Sequence, residues 1–242
     1  MPIFTRGEIA LHYEVHGSGH PLLLLAPGGM RSSIAFWERA PFHPVTELAN
    51  QFQVIAMDQR NAGASRAPVS AADGWHSYTD DHLALLDELG VERCHLHGGC
   101  IGGSFALSLI ARAPERVTSA VLQQPIGLTA TNRPVFHELF DSWISELRLT
   151  RSDIPDEALP PFRSRMYGGD FVFSVDREAV KACEVPLLVL RGVAHDVYHP
   201  PEISEEIVQL AARAELVPEW KTGASVARAV TRVRDFLTEH TG

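Results

Sequence analysis

Apolar residues along this chain follow two rhythms. Short runs rich in Val, Leu and Ile recur at Pro21–Ala26, Phe52–Met57, Arg93–His97, Ser119–Gln123, Pro186–Arg191 and Ala214–Val217, bounded by turn residues, and they predict buried strands. Between them lie stretches with apolar residues three and four apart, such as "TDDHLALLDELG", "IGGSFALSLIARAPERV", "PPEISEEIVQLA" and "ASVARAVTRVRDFLTEH", which predict amphipathic helices. The opening "MPIFTRGEIALHYEVHG" alternates instead, and Gly7 at its centre predicts a hairpin. Strands that are apolar throughout need both faces covered. The pattern therefore predicts an α/β fold: a mostly parallel sheet of about eight strands with helices on both faces, the hairpin adding an antiparallel edge.

The alternation breaks between residues 126 and 182. This stretch carries no strand pattern and is rich in Pro, Arg and aromatics, including Phe136, Phe140, Trp143, Phe162, Tyr167, Phe171 and Phe173. A stretch this long is expected to be a small helical cap inserted after the sixth strand, on a core made of residues 1–125 and 183–242. Ligands of such sheets bind beyond the carboxyl ends of the strands. On that reading Trp143, Tyr167 and Phe171 are expected to line a pocket, and Arg133 to meet a substrate carboxylate. The alternatives are extra packing over the sheet edge and, for Arg133, Arg163 and Arg165, a solvated surface.

The 242 residues are 45% hydrophobic and 21% charged, ordinary for a globular chain with a deep core. A net charge of −9 leaves no basic footprint for nucleic acid or an anionic membrane. No apolar run has the length of a signal peptide or membrane span, so the cytoplasm is the expected compartment and a small molecule the expected partner. Whether the chain pairs as a homodimer stays open. Cys94, Cys100 and Cys183 make an odd, scattered set, which suits a reducing compartment. Cys94, within a strand run, and Cys183, just ahead of one, read as small buried hydrophobes.

Cys100 stands differently. It sits in "GGCIG", where a strand turns into a helix and Gly98, Gly102 and Gly103 permit a tight approach. The stretch "APGGM" follows the strand Pro21–Ala26, and its Gly29 or Met30 amide, with that of Ile101, is expected to form an oxyanion hole. "DQRNAGASR" follows the strand Phe52–Met57. Together these stretches resemble the α/β-hydrolase superfamily: "PGG" at its oxyanion loop, "DQRNAGAS" at its D-x-R-G-x-G-x-S turn, "GGCIG" at its nucleophile elbow. "LLVLRGVAHD" is similar to the strand and loop that carry its catalytic acid, which the resemblance places at Asp196. The resemblance spans about residues 10 to 240.

Two departures matter. The superfamily's elbow usually holds serine, and its histidine follows the last strand; here "AELVPEWKTGASVARAV" has Trp220 and Lys221 near that place and no histidine before His240. A thiol, with a pKa near 8.5 that a helix N-terminus lowers, needs less help from a base than a hydroxyl does. The loop "VAHDVYHPP" offers His199 as a displaced base, oriented by Asp196, with Pro200–Pro201 extending the backbone before a helix. The bland readings are a helix-start residue for His199 and a surface residue for His195.

Other candidates are weaker. His95 and His97 share a strand face, and His195 and His199 stand near Glu202, but neither set has a convincing third metal ligand; no metal and no cofactor is expected. His97 reads as a packed histidine, and His137 as a second candidate proton donor from the cap. Asp58 is expected to stabilise its turn, and Asp80, Asp81 and His82 to begin a helix as partners of its dipole.

The chemistry these residues imply is hydrolysis of a small ester, lactone or thioester through an acyl-Cys100 intermediate. The nucleophile is similar to that of the dienelactone hydrolases, which keep a late histidine, so their substrate does not carry over. The alternatives are a ligand-binding homologue with little or no activity, and an acyltransferase or lyase on the same fold.

Overall fold

The structure is a computed structural model and describes residues 2–241. Eight strands, β1 (Ile3–Arg6), β2 (Ile9–His16), β3 (His20–Leu25), β4 (Phe52–Met57), β5 (Cys94–Gly99), β6 (Val117–Gln123), β7 (Leu187–Leu190) and β8 (Ala214–Val217), form one sheet in the order β1-β2-β4-β3-β5-β6-β7-β8. β1 pairs antiparallel with β2, and β2 with β4; every other pairing is parallel. The sheet is thus mixed, its antiparallel part being the opening hairpin and the junction of that hairpin with β4.

A period of two divides each central strand between two cores. In β3, Leu22 and Leu24 enter one core and Leu23 and Leu25 the other; β4 splits Val54 and Ala56 from Ile55 and Met57 in the same way. Helices α1 (Pro44–Leu48) and α8 (Ala224–Glu239) cover the first face through Leu48, Ala229, Val233 and Phe236. Helices α2 (Trp75–Glu88), α3 (Ile101–Arg112) and α7 (Pro201–Leu210) cover the second through Tyr78, Leu85, Phe105, Leu109, Ile203 and Ile207.

α2 starts at Trp75, a full turn before the "TDDHLALLDELG" stretch, so Asp80, Asp81 and His82 lie inside the helix and are not partners of its N-terminal dipole. Asp81 is buried instead against two guanidinium groups, Arg60 Nε at 2.8 Å and Arg6 Nη2 at 3.0 Å. Asp58 holds its turn together, accepting the Ile34 and Ala64 amides at 2.8 Å each and pairing with His12 at 2.9 Å. Cys94 is wholly buried, and desolvation pushes its thiol up to about 12.

Between β6 and β7 the chain forms α4 (Arg133–Leu147), α5 (Leu159–Tyr167) and α6 (Arg177–Lys181) and no strand. Its aromatics bury one another, with Phe136 4.6 Å from Phe173 and Phe140 5.2 Å from Phe162 between ring centroids. Each such ring contributes about 1.5–3 kcal/mol through burial. Polar anchors join this segment to chain that follows the carboxyl ends of β3, β4 and β5. Arg31 binds Glu146 at 2.6 Å, the Trp75 indole donates to Met166 O at 2.9 Å, and Ser104 Oγ donates to Val172 O at 2.8 Å. α4 and α5 are thereby tied to the sheet end from which Cys100 emerges. Among the described residues no helix is long and apolar enough to cross a membrane.

Candidate active site

Cys100 occupies the single residue between β5 and α3, with φ +57° and ψ −118°. A side chain in that region costs about 1–3 kcal/mol and persists only where its surroundings enforce it. They do so closely here. A Cβ on Gly98 would stand 2.1 Å from Gly102 O, and one on Gly102 would stand 1.9 Å from Leu25 O. The Cys100 amide donates to Gln123 O at 2.9 Å and its carbonyl accepts the Ile126 amide at 3.4 Å, fixing the elbow to the end of β6.

Two backbone amides approach the sulfur, from Ile101 and Gly28. On the β3 side Gly28, Gly29 and Met30, the last two within a 3-10 turn over Gly29–Arg31, all line the cavity above the sulfur. Met30 contributes its buried side chain to the cavity wall.

The loop from Gly192 to Pro200, between β7 and α7, brings Asp196 and His199 together. Asp196 Oδ2 pairs with His199 Nδ1 at 2.8 Å, while Oδ1 accepts the amides of Tyr198 at 3.0 Å and His199 at 3.2 Å. The bond to Nδ1 turns the other ring nitrogen inward. Nε2 is buried and closes no regular hydrogen bond, yet His199 and Cys100 line one cavity and each shifts the titration of the other. Burial opposes a charged imidazole, but the Cys100 thiolate and the bond to Asp196 outweigh it and raise His199 to about 9. Burial also opposes the thiolate, and the His199 charge with the Ile101 and Gly28 amides brings Cys100 below the ordinary thiol range. The hydrogen bond from His199 holds Asp196 well below the ordinary carboxylate range, against a smaller desolvation cost. Each of the two groups thus favours the charged form of the other.

No histidine enters from beyond β8. Trp220 is 2% exposed, packs edge-on to Phe42 and donates its indole N–H to Arg191 O at 2.8 Å. His240 lies at the opposite end of the sheet, in a hollow shared with His20, Val117 and Pro186. His195 is exposed, with φ +67°, and faces a separate surface depression.

The cavity over Cys100 encloses about 220 Å³ and is walled by Met30, Ile126, Phe136, Leu139, Tyr167 and Tyr198, with Arg31 beside them and the Gly28–Gly29 peptide and Ile101 at its base. Tyr167 lines it; Trp143, Phe171 and Arg133 do not. Trp143 donates to Asn61 O at 3.2 Å and packs on Phe140 and Phe162. Phe171 is wholly buried beneath the Arg177 guanidinium. Arg133 donates to the carbonyls of Tyr167 and Gly169 and is absent from the cavity wall. Phe136 and Leu139, which sequence reasoning did not single out, come from successive turns of α4; their i, i+3 spacing was the available signal.

His95 binds Ser119 at 2.8 Å and Thr241 at 2.9 Å, and His97 binds Gln123 at 2.9 Å. Burial lowers the two to about 3 and about 4, so both are neutral strand residues. His137 does not line the cavity, and Arg163 pairs with Asp141 at 2.7 Å. No group of three or more His, Cys, Asp or Glu side chains gathers as a metal would need among the described residues.

The family profile described as alpha/beta hydrolase fold matches residues 21–217. The chain is 28% identical over 258 residues to a 2-hydroxymuconate semialdehyde hydrolase from Pseudomonas sp. (strain CF600), covering 92% of this chain and 88% of that one. It is 37% identical over 125 residues to a putative carbamate hydrolase RutD from Azorhizobium caulinodans, covering 50% of this chain and 43% of that one. The match to RutD of Variovorax paradoxus covers 55% of that protein, so the chain spans about half the length of these two relatives. The enol-lactonase of Burkholderia xenovorans LB400 superposes with a TM-score of 0.70 at 24% identity, over 98% of this chain and 100% of that one. A meta-cleavage product hydrolase (CumD) of Pseudomonas fluorescens IP01 gives 0.71 at 20%, over 96% and 95%. At these identities the structural likeness is one of fold.

Proposed function

The chain belongs to the α/β-hydrolase fold family, and from that premise we propose that it is a hydrolase that opens a small ester, lactone or thioester through an acyl intermediate on Cys100. The observation that carries the reading is the Asp196–His199 pair, closed at 2.8 Å within one loop and turned toward the elbow thiol. The relatives named as carbamate hydrolase, semialdehyde hydrolase and enol-lactonase support hydrolysis as the general chemistry.

The steps follow from the charges. The Cys100 thiolate attacks the acyl carbon, the S–C bond forms, and the carbonyl electron pair moves to oxygen, where the Gly28 and Ile101 amides receive it. Collapse breaks the bond to the leaving group, which takes the proton from His199 Nε2. The sulfur is now a neutral thioester, so the charge that raised His199 is gone. Burial then favours the neutral imidazole, which accepts a proton from water as the water oxygen attacks the acyl carbon. Breaking the S–C bond releases the acid and restores the thiolate and imidazolium. A thiolate leaves more readily than an alkoxide or an amine, so forward collapse needs the His199 proton or an activated leaving group, and amides suit the site badly. About 220 Å³ limits the acyl part to a short chain or one ring.

Incubation with p-nitrophenyl esters and acyl thioesters, followed by intact mass, tests the reading. An acyl adduct that maps to Cys100 and disappears in Cys100→Ala is expected. A Cys100 inert to acylation and to iodoacetamide at neutral pH would favour a ligand-binding protein instead.

A further inference from the structure

We propose that Asn132 is a positioning residue that sets the separation of Cys100 and His199, by tying the frame of the nucleophile to the loop of the base. This rests on the reading of the Cys100–His199 pair given above.

Asn132 is 2% exposed and precedes the first residue of α4. Asparagine at that place ordinarily turns its side chain onto the first amides of the helix. Here the side chain makes no capping bond. Its oxygen accepts the Thr129 amide at 2.8 Å, and its Nδ2 donates twice, to Gly127 O at 3.0 Å and to Val197 O at 2.9 Å. The two carbonyls belong to different halves of the site. Gly127 follows Ile126, whose amide binds the Cys100 carbonyl. Val197 lies between Asp196 and His199.

The loop's other hydrogen bonds fix its shape but not its place. Val193 donates to His199 O, Asp196 donates to Val193 O, and Gly192 donates to Ser204 of α7, the helix that the loop enters. Among the described residues, the Asn132 bond is the one hydrogen bond that reaches residues 193–199 from outside this loop. A base brought in on the β7 loop needs such a tether, since the nucleophile stands on β5 with β6 between them. Loss of about 1 Å in the approach of reacting groups costs on the order of a hundredfold in rate.

The test compares wild type, Asn132→Ala, Asn132→Ser, His199→Ala and Ser119→Ala. Iodoacetamide labelling of the Cys100 peptide is followed against pH, beside kcat and KM on a p-nitrophenyl ester and the Tm, all where circular dichroism shows each variant folded. In Asn132→Ala the midpoint of thiolate formation is expected to rise by about one pH unit, toward that of His199→Ala, and kcat to fall about 10–100-fold with KM nearly unchanged. Tyr167 and Lys221, the other titratable groups coupled to the sulfur, are untouched by the change. Asn132→Ser, shorter but folded, is expected to show the same direction. Ser119→Ala removes a buried partner of His95 at the far end of the sheet and is expected to lower Tm without moving the profile. A wild-type profile and kcat in both Asn132 variants, beside a shifted profile in His199→Ala, would overturn the positioning role alone. An unshifted profile in His199→Ala would overturn the pair on which it rests.

Discussion

The turns after β7 and β8 leave neighbouring strands at the same end of the sheet and do opposite work. The β7 loop is half-exposed, and it closes on itself around Asp196, whose carboxylate accepts from His199 and two backbone amides. The β8 turn sends Trp220 inward, where its ring joins the core on the α8 face, and Lys221 lies against that ring with its ammonium 5.4 Å away. One loop spends its side chains on charge, the other on burial. An acid and a base three residues apart form a local unit that needs no second loop, which leaves the β8 turn free to pack.

That contrast can be broken by substitution. Cys100→Ala is expected to abolish turnover, a loss of at least about 10³-fold, with the fold kept. His199→Ala is expected to lower kcat by about 10²–10⁴-fold, the range of general acid–base catalysis. The double variant His199→Ala/Trp220→His sharpens the point. The position 220 side chain sits in the α8-face core and does not line the cavity, so no recovery of kcat is expected; recovery would mean the β8 turn still reaches the thiol. Asp196→Asn is expected to cost less, about 10–100-fold, because His199 loses one of two supports for its positive charge and keeps the other. Trp220→Phe is expected to leave kcat within about twofold while costing about 0.5–1.5 kcal/mol for the lost bond to Arg191 O, read by urea denaturation.

The pH dependence follows from the signs. His199 is raised, so its stabilising contribution is present below its unfolded value of 6.5 and fades as pH rises through about 9. Asp196 is depressed, so its contribution is present above its unfolded value of 3.8 and is lost as pH falls below that. His82, His95 and His97 are held neutral by burial, at about 3, 3 and 4. The unfolded chain therefore takes up protons there first, and stability is expected to fall from pH 6.5 toward 4, by at most about 1.4 kcal/mol per pH unit for each histidine. Tm against pH checks this, with His95→Gln expected to flatten the slope.

Much of this contrast was legible in the residues. Continuous apolar runs located the strands to within a residue or two, since a strand buried on both faces has few other ways to be written. The elbow was legible because only glycine fits at 98 and 102. Asp196 and His199 were legible as neighbours because they are close in sequence. Positions set by tertiary phase were not. The Gly28 amide acts on the Cys100 sulfur beside that of Ile101, and which peptides of this loop turn that way depends on the 3-10 turn over Gly29–Arg31, which sequence does not record. Trp143 and Phe171 carry the same apolar signal as Phe136 and Tyr167, and only the packing of α4, α5 and the segment after α5 decides which of them meets the cavity. Arg133 binds backbone carbonyls, whose positions no side-chain pattern records. Asp81 misled because the helix begins at Trp75, behind a glycine that carries no capping side chain.

In the proposed reaction Cys100 carries the acyl group and His199, from the β7 loop, clears it. Rapid quench with p-nitrophenyl acetate, followed by peptide mass, tests it most directly. One acetyl group on Cys100 is expected, transient in wild type, persistent in His199→Ala and absent in Cys100→Ala. Turnover in wild type without an adduct on Cys100, or full turnover in Cys100→Ala, would contradict it.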